Sequence, residues 1–224
     1  MSKKPTKESL IQDLKADGYL KTPLVLEALR AIDRLDFVPP DLADSAYENK
    51  PLPIGHGQTI SQPLTVAFML ELLEPKPGER MLDIGVGSGW QAALLAYIAF
   101  RDAERDETKE PIVIGIERTP ELTAMAERNI DKYGFREKGW VNIITGDATE
   151  GVPPDLLPVY GFNKIIAAAS AEREVPLAWK RQLAVGGRIV APVGTRIVVL
   201  DKKADDVFVK KEYEGFRFVP LISK

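Results

Sequence analysis

One stretch of this chain carries three alternating glycines directly after an apolar run, a pattern that can bring the backbone close to a ligand. It reads Met81-Leu82-Asp83-Ile84-Gly85-Val86-Gly87-Ser88-Gly89-Trp90. Glycine suits such a turn because it adopts backbone angles that other residues avoid and lets N–H groups approach a bound molecule. The sequence therefore predicts a strand, a ligand-binding turn and a helix, as in the nucleotide pocket of a doubly wound α/β domain.

The spacing of these glycines discriminates among ligands. A dinucleotide fingerprint, G-x-G-x-x-G, would need glycine where the chain has Trp90, and no G-x-x-x-x-G-K-[ST] phosphate loop occurs. S-adenosylmethionine has no phosphates to hold, so it is the cofactor that the turn favours. Because the same turn also occurs as an ordinary tight strand-to-helix connection, other residues must decide between the two interpretations.

Three acids are expected at the rim of this pocket. Glu117 ends a second apolar run and is placed to bind ribose hydroxyls, Asp147 follows a third run and could receive the adenine amino group, and Asp83 could face the methionine ammonium. The alternatives are a helix-start acid for Glu117 and a turn aspartate for Asp147. The predicted cofactor-binding residues are Asp83, Gly85, Gly87, Ser88, Gly89, Glu117, Arg118, Asp147 and Ala148.

A charged insertion accounts for the position of the second acid. Glu117 lies farther from the glycines than the ~20 residues usual for such an acid. The excess corresponds to Arg101 to Glu110, which is almost entirely charged. We interpret this insertion as a solvated helix end and loop that lies outside the site.

Composition limits the functional classes. The net charge of −3 gives no general attraction to nucleic acid, so no nucleic-acid partner is expected. The absence of cysteine excludes a thiol nucleophile and thiolate metal sites, and with one histidine, His56, and no close carboxylate cluster we expect no metal. No apolar run approaches the length of a membrane span, so we expect a cytoplasmic protein without a membrane partner. As a separate prediction, we expect a monomer.

The order of the elements predicts one domain over residues 1–224, with N-terminal helices and a substrate-site loop in 1–75 and a cofactor-binding α/β core in 76–224. Helical spacing is expected over Glu8 to Tyr19, Thr22 to Ile32 and Pro63 to Leu73, with irregular chain from Asp36 to Gln62. Strands and helices then alternate, which predicts a doubly wound Rossmann-like α/β fold with a mostly parallel sheet. The predicted core elements are strands at Arg80 to Ile84, Ile112 to Glu117, Val141 to Thr145, Asn163 to Ala168 and Arg188 to Val193, and helices at Trp90 to Phe100, Pro120 to Tyr133 and Pro176 to Leu183.

The C-terminal part is expected to be antiparallel. Arg196 to Leu200 and Val207 to Lys211 are close enough in sequence to form a hairpin, and Phe216 to Leu221 is apolar enough to form an edge strand or to pack over one.

A longer motif precedes the glycine turn. The segment from Ala46 to Pro63 contains Tyr47-Glu48, Leu52-Pro53-Ile54-Gly55 and Gly57-Gln58-Thr59-Ile60-Ser61-Gln62-Pro63. With the glycine turn, Arg34 to Pro39 and the terminal Arg217 to Leu221, it closely resembles the protein-L-isoaspartate (D-aspartate) O-methyltransferases. The Thr-Ile-Ser-Gln-Pro element makes the match specific, since many methyltransferases share the glycine turn.

The resemblance implies a Rossmann-like S-adenosylmethionine-dependent methyltransferase fold and a repair enzyme. It would transfer methyl from S-adenosylmethionine to the free α-carboxylate of L-isoaspartyl, and D-aspartyl, residues in damaged proteins and peptides, with little side-chain selectivity. It assigns an active-site role to Ser61, with Thr59 and Gln62 beside it. Because the acceptor carboxylate is already ionised at pH 7, the reaction needs positioning rather than a strong base.

Several alternatives stay open from the sequence. Ser61 could be a helix N-cap ahead of Pro63, and His56 is expected to pack or hydrogen-bond rather than to act as a base. The methyl acceptor could be another carboxylate-bearing peptide or a nucleic-acid base, and the chain could be a non-catalytic cofactor-binding scaffold. Three pocket-wall residues depart from the resembling pattern: His56, Leu64 and Trp90.

Overall fold

The computed structural model describes residues 4–101 and 113–222. The charged insertion falls almost wholly outside the described residues, and so does Ile112, the first residue of a predicted strand. The helices before the sheet lie where the sequence predicts them. They are α1 (Lys7–Ala16), α2 (Pro23–Ala31) and α3 (Pro63–Leu73).

The segment from Asp36 to Gln62 is more regular than its Pro- and Gly-rich composition indicates, so the prediction of irregular chain was wrong. It contains the second half of a short 3₁₀ helix at Arg34–Phe37, a second such helix at Pro40–Ser45, and a two-stranded hairpin of β1 (Leu52–Gly55) and β2 (Gln58–Ile60). The hairpin buries Leu52, Ile54 and Ile60 and exposes alternate residues. Two strands of four and three residues, the first interrupted by Pro53, give too short a pattern to detect in a sequence.

A seven-stranded sheet forms the centre of the molecule, in the order β5-β4-β3-β6-β7-β8-β9. The five strands from β5 to β7 are parallel, whereas β7, β8 and β9 pair antiparallel. The predicted doubly wound fold with an antiparallel C-terminal portion is therefore confirmed. The strands are β3 (Met81–Ile84), β4 (Val113–Glu117), β5 (Val141–Thr145), β6 (Phe162–Ala167), β7 (Leu183–Val193), β8 (Arg196–Ala204) and β9 (Val207–Glu214).

Helices α4 (Trp90–Phe100), α5 (Pro120–Asp131) and α6 (Leu177–Gln182) connect the parallel strands. The four residues of β3 and the five of β4 are all buried, as expected for central strands covered on both faces. The N-terminal helices share a core with the sheet, because Leu14, Leu29 and Leu70 belong to the same apolar cluster as Ile166 of β6. Burial of that cluster fixes the N-terminal segment against the core.

The ends of several elements differ from the sequence prediction. Strand β7 begins at Leu183 rather than at Arg188, because Gly186 and Gly187 hide the strand pattern. The segment 216–221 forms no strand of the sheet. It packs over the sheet edge through a parallel bridge between Ser170 and Pro220, which is the second of the two arrangements predicted.

Two further observations concern the described residues alone. None of their helices combines the length and the apolar composition that a membrane crossing requires. The same residues contain no group of three or more His, Cys, Asp or Glu side chains placed to hold a metal ion.

Candidate active site

The glycine turn lies at the carboxyl end of β3, where the strand order reverses. The chain runs outward from β3 through β4 to β5 and then returns to β6 on the other side of β3. Open α/β sheets bind ligands at such a switch point, outside the carboxyl ends of the strands. The loops that follow β3, β4, β5 and β6 meet there.

These loops enclose a cavity of about 420 Å³, which we call the glycine-loop cavity. Its size lies within the range of about 300–1,000 Å³ that is typical of small-molecule sites. The hairpin and the C-terminal segment complete the wall. The residues that line it are His56, Gln58, Thr59, Gly85, Gly87, Ile116, Glu117, Arg118, Thr119, Gly146, Ala148, Ala169, Val219, Pro220, Leu221 and Ile222.

Glu117 is the predicted rim acid whose side chain lines this cavity. Its side chain lines the cavity although the residue is only 7% exposed. One carboxylate oxygen accepts the N–H of Gly87 at 2.9 Å and the other accepts the N–H of Thr119 at 2.9 Å. These bonds fix the carboxylate beside the glycine turn, and each oxygen retains acceptor capacity for a hydroxyl. Arg118 is exposed at the rim of the cavity.

Asp83 lies below the turn and is fully buried, and it does not line the glycine-loop cavity. Its Oδ1 accepts a hydrogen bond of 2.6 Å from Gln91, and its Oδ2 has no partner among the described residues. Desolvation, with a smaller effect of the Glu117 charge, raises the pKa of Asp83 to about 7. Asp83 thus lies outside the cavity that Glu117 lines, although the sequence predicts both acids at one rim.

The other predicted cofactor residues have different surroundings. Ala148 lines the cavity, whereas Asp147 accepts hydrogen bonds from the backbone and hydroxyl of Thr149 at 2.9 and 2.7 Å and so caps a 3₁₀ turn. Gly89, with a φ of 95°, faces α5, because a Cβ there would lie 3.1 Å from the Ala126 backbone. Ser88 is buried and lines a gap of about 30 Å³ together with Ser61.

A second cavity of about 280 Å³ adjoins the first, and we call it the Ser61 cavity. Thr59 and Val219 line both cavities, so the two share a wall. All three residues that the resemblance assigns to the active site line this second cavity. The residues that line it are Pro51, Thr59, Ser61, Gln62, Thr65, Ala168, Arg217, Phe218 and Val219.

The Ser61 hydroxyl makes no hydrogen bond to any residue that the structure describes, and other groups cap the helix that follows it. The N-cap of α3 is Gln62, whose side chain makes no capping bond. The Asn49 side chain instead accepts the N–H of Leu64 at 3.0 Å, and the Asn49 carbonyl accepts a bond from the Gln62 amide at 3.0 Å. The alternative of Ser61 as N-cap is therefore wrong, and its hydroxyl remains available to a molecule in the cavity.

His56, which the sequence analysis names as a pocket-wall residue, lines the glycine-loop cavity and is exposed in the β1–β2 turn at a φ of 53°. The end of the chain is a part of the site that was not predicted from the sequence. The C-terminal segment 217–222 lines both cavities, and Val219 and Leu221 are fixed by two backbone hydrogen bonds to Ser170 of 2.8 Å. Its Arg-Phe-Val-Pro-Leu motif was the available signal, but a motif does not show where the chain end returns.

The sheet order, the glycine turn at the switch point and Glu117 at the end of β4 define an S-adenosylmethionine-dependent methyltransferase. Comparisons with known proteins specify which kind. The chain belongs to the protein-L-isoaspartate(D-aspartate) O-methyltransferase family, whose model matches residues 5–224. It is an enzyme of that kind and uses S-adenosylmethionine as its cofactor.

Individual relatives agree with this assignment. The chain is 39% identical over 222 residues to the protein-L-isoaspartate O-methyltransferase of Methanopyrus kandleri, covering 97% of this chain and 92% of the relative. It is 44% identical over 205 residues to protein-L-isoaspartate O-methyltransferase 2 of Marinobacter nauticus, covering 89% and 85%. A solved structure from Plasmodium falciparum, assigned to the same kind of enzyme and in complex with S-adenosyl-L-homocysteine, superposes with a TM-score of 0.83 at 27% identity, covering 96% and 98%.

Proposed function

We propose that the two cavities hold the two reactants of a protein repair reaction. The glycine-loop cavity takes S-adenosylmethionine, and the Ser61 cavity takes the free α-carboxylate of an L-isoaspartyl residue in a damaged protein or peptide. The observation that supports this assignment is the shared wall, because Thr59 and Val219 line both cavities. Two molecules bound there would face each other across one boundary, as methyl transfer requires.

The residues of the glycine-loop cavity fit the cofactor. Glu117 is held by two backbone N–H groups and would accept the ribose hydroxyls, and Gly146 and Ala148 would lie against the adenine. Gly87 must stay small, since a Cβ there would meet the Ile54 side chain at 3.2 Å and its φ is 56°. When bound, the cofactor supplies an electrophilic methyl group on a sulfonium sulfur.

The residues of the Ser61 cavity position the acceptor. The Ser61 and Thr59 hydroxyls would donate to one carboxylate oxygen and leave the other to attack the methyl carbon. The new C–O bond forms as the S–C bond breaks, and the electron pair stays on sulfur. Binding must be modest, because donors that held the carboxylate strongly would stabilise the ground state. The resulting ester collapses to a succinimide, whose hydrolysis returns some normal aspartate.

The test is methyl transfer from labelled S-adenosylmethionine to two otherwise identical peptides, one with L-isoaspartate and one with aspartate. We expect base-labile label only in the isoaspartyl peptide. Label in both peptides, or in neither while S-adenosylhomocysteine still binds, would overturn the acceptor assignment and favour another carboxylate-bearing peptide or a non-catalytic scaffold.

A further inference from the structure

The C-terminal segment places a positively charged side chain at the mouth of the Ser61 cavity. Phe216 stacks on Phe68 at 5.3 Å, and its N–H donates to the Thr195 carbonyl at 3.1 Å. Phe218 packs against the core, and the next residue, Val219, is bonded through its carbonyl to Ser170 at 2.8 Å. Arg217 lies between the two anchored phenylalanines and is exposed, so its backbone is fixed while its side chain is free to meet a ligand.

Within residues 4–101 and 113–222, Arg217 is the only charged residue that lines the Ser61 cavity. Among the described residues it has no acidic partner, although the protein carries 33 acidic and 30 basic residues. By contrast, Arg196 on β8 pairs with Glu212 at 2.9 Å and Arg136 with Glu127 at 2.9 Å. The planar guanidinium presents a fork of donors that matches a carboxylate.

The methyl acceptor itself is a poor partner for this guanidinium. The acceptor carboxylate must attack as an anion, and a bidentate pair with arginine would stabilise it before the transition state and slow the transfer. Ser61 and Thr59 already supply neutral donors at the shared wall. A cation at the mouth of the cavity is better suited to a second carboxylate, carried by a neighbouring residue of the substrate.

We propose that Arg217 makes the enzyme selective for isoaspartyl segments with an acidic neighbour, which rests on the proposed function of the Ser61 cavity. The preferred substrate carries a glutamate or aspartate next to the isoaspartate. An exposed charge pair strengthened by hydrogen bonds should lower KM for such a peptide about threefold to tenfold relative to a neutral one. The preference should shrink at high salt because both charges are near solvent.

The experiment uses three isoaspartyl peptides that differ only in the two flanking residues, which are both Glu, both Gln or both Lys. The ratio of KM for the Gln peptide to KM for the Glu peptide is measured for the wild type, Arg217→Gln, Arg217→Glu and a control, Arg181→Gln. Arg181 is also an exposed arginine, on α6, but lines neither cavity. We expect the ratio to fall to about one in Arg217→Gln, to invert in Arg217→Glu and to keep its wild-type value in Arg181→Gln.

The outcomes separate the two proposals. If the wild type methylates none of the three peptides, the proposed function fails. If it methylates them with equal KM, or if Arg217→Gln raises KM for all three equally, the selectivity of Arg217 is overturned while the proposed function stands. Methylation with the Lys peptide preferred would also overturn it.

Discussion

The guanidinium of Arg34 donates a hydrogen bond of 3.1 Å to the main-chain carbonyl of Ser61. Arg34 is only 2% exposed, and it also donates to the carbonyls of Ala46 at 2.6 Å and Lys50 at 3.0 Å. Its Cζ lies 5.4 Å from the centre of the Trp90 ring at the start of α4. One buried cation therefore connects the segment that carries Ser61 to the helix that follows the glycine turn.

This relationship predicts that Arg34 positions Ser61. Burial lowers the pKa of Arg34 to about 10, so the side chain is still charged at neutral pH. In Arg34→Gln the segment that carries Ser61 loses most of the hydrogen bonds that Arg34 donates to it. We therefore expect kcat to fall about tenfold or more, while the affinity for S-adenosylhomocysteine changes less than twofold. Arg34→Lys should recover part of the kcat, because an ammonium can replace some of the donors.

The control for lost stability is Arg188→Gln. Arg188 lies away from both cavities, donates to the Leu72 carbonyl at 2.8 Å and pairs with Asp201 at 2.6 Å. It should lower the melting temperature without lowering kcat at a temperature where the protein is folded. If kcat falls equally in the Arg34 and Arg188 variants at equal loss of stability, Arg34 has only a structural role.

Ser61→Ala should impair methyl transfer more than cofactor binding. A hydrogen bond to a charged group contributes about 1.5–3 kcal/mol, so kcat/KM for an isoaspartyl peptide should fall about 10- to 150-fold. Titration with S-adenosylhomocysteine measures the cofactor affinity of the same variant. Ser45→Ala is the matched control, because that hydroxyl bonds to Glu48 at 3.0 Å and lines neither cavity. Equal losses of both functions in Ser61→Ala would contradict its assigned role.

The sequence predicts the cofactor half of this site better than the acceptor half. The glycine turn and Glu117 are local signals, because each directly follows an apolar strand whose position fixes the edge of the sheet. Arg34 and Asn49 act on Ser61 and α3 through contacts that span 27 and 15 residues, and no local pattern encodes such contacts. Asp83 shows a second limit of prediction from sequence. Its position near the end of β3 does not reveal that the residue is fully buried.

Glu117→Ala should show the pattern opposite to that of Ser61→Ala. Loss of the carboxylate removes the acceptor for the ribose hydroxyls and frees the N–H groups of Gly87 and Thr119. We expect the Kd for S-adenosylhomocysteine, measured by calorimetry, to rise about 10- to 100-fold, which corresponds to about 1.4–2.7 kcal/mol. Glu121→Ala, an exposed acid in the first turn of α5, should bind like the wild type. An unchanged Kd in Glu117→Ala would remove that residue from the cofactor site.

Gly89→Ala should destabilise the protein through packing rather than through the cofactor. The new Cβ would lie 3.1 Å from the Cα and carbonyl oxygen of Ala126, and backbone atoms cannot move aside as a flexible side chain can. Gly78→Ala is a matched control, since its φ of 76° is also positive but no atom lies within 4 Å of the added Cβ. The difference in unfolding free energy between the two variants should be about 1–3 kcal/mol. Equal destabilisation would show that the backbone conformation alone requires glycine at position 89.

Asp83→Asn should change the pH dependence of stability. The pKa of Asp83 is raised in the folded state from an ordinary value of 3.8 to about 7, so the folded protein binds this proton more tightly than the unfolded chain does. The resulting stabilisation is fully present below about pH 4 and is lost as the pH rises through about 7. Asparagine does not titrate and its Oδ1 can still accept the Gln91 hydrogen bond, so the variant should gain stability over the wild type as the pH rises from 4 to 7.

Asp201→Asn provides a control of opposite sign. The hydrogen bond from Arg188 lowers the pKa of Asp201, so its stabilisation is present at neutral pH and is lost as the pH falls through the lowered pKa. This variant should be less stable than the wild type at pH 7 and approach it in acid. Thermal unfolding at half-unit steps from pH 3 to pH 8 measures both differences. A constant difference between Asp83→Asn and the wild type over this range would mean that Asp83 keeps an ordinary pKa in the folded protein, with its charge compensated in place.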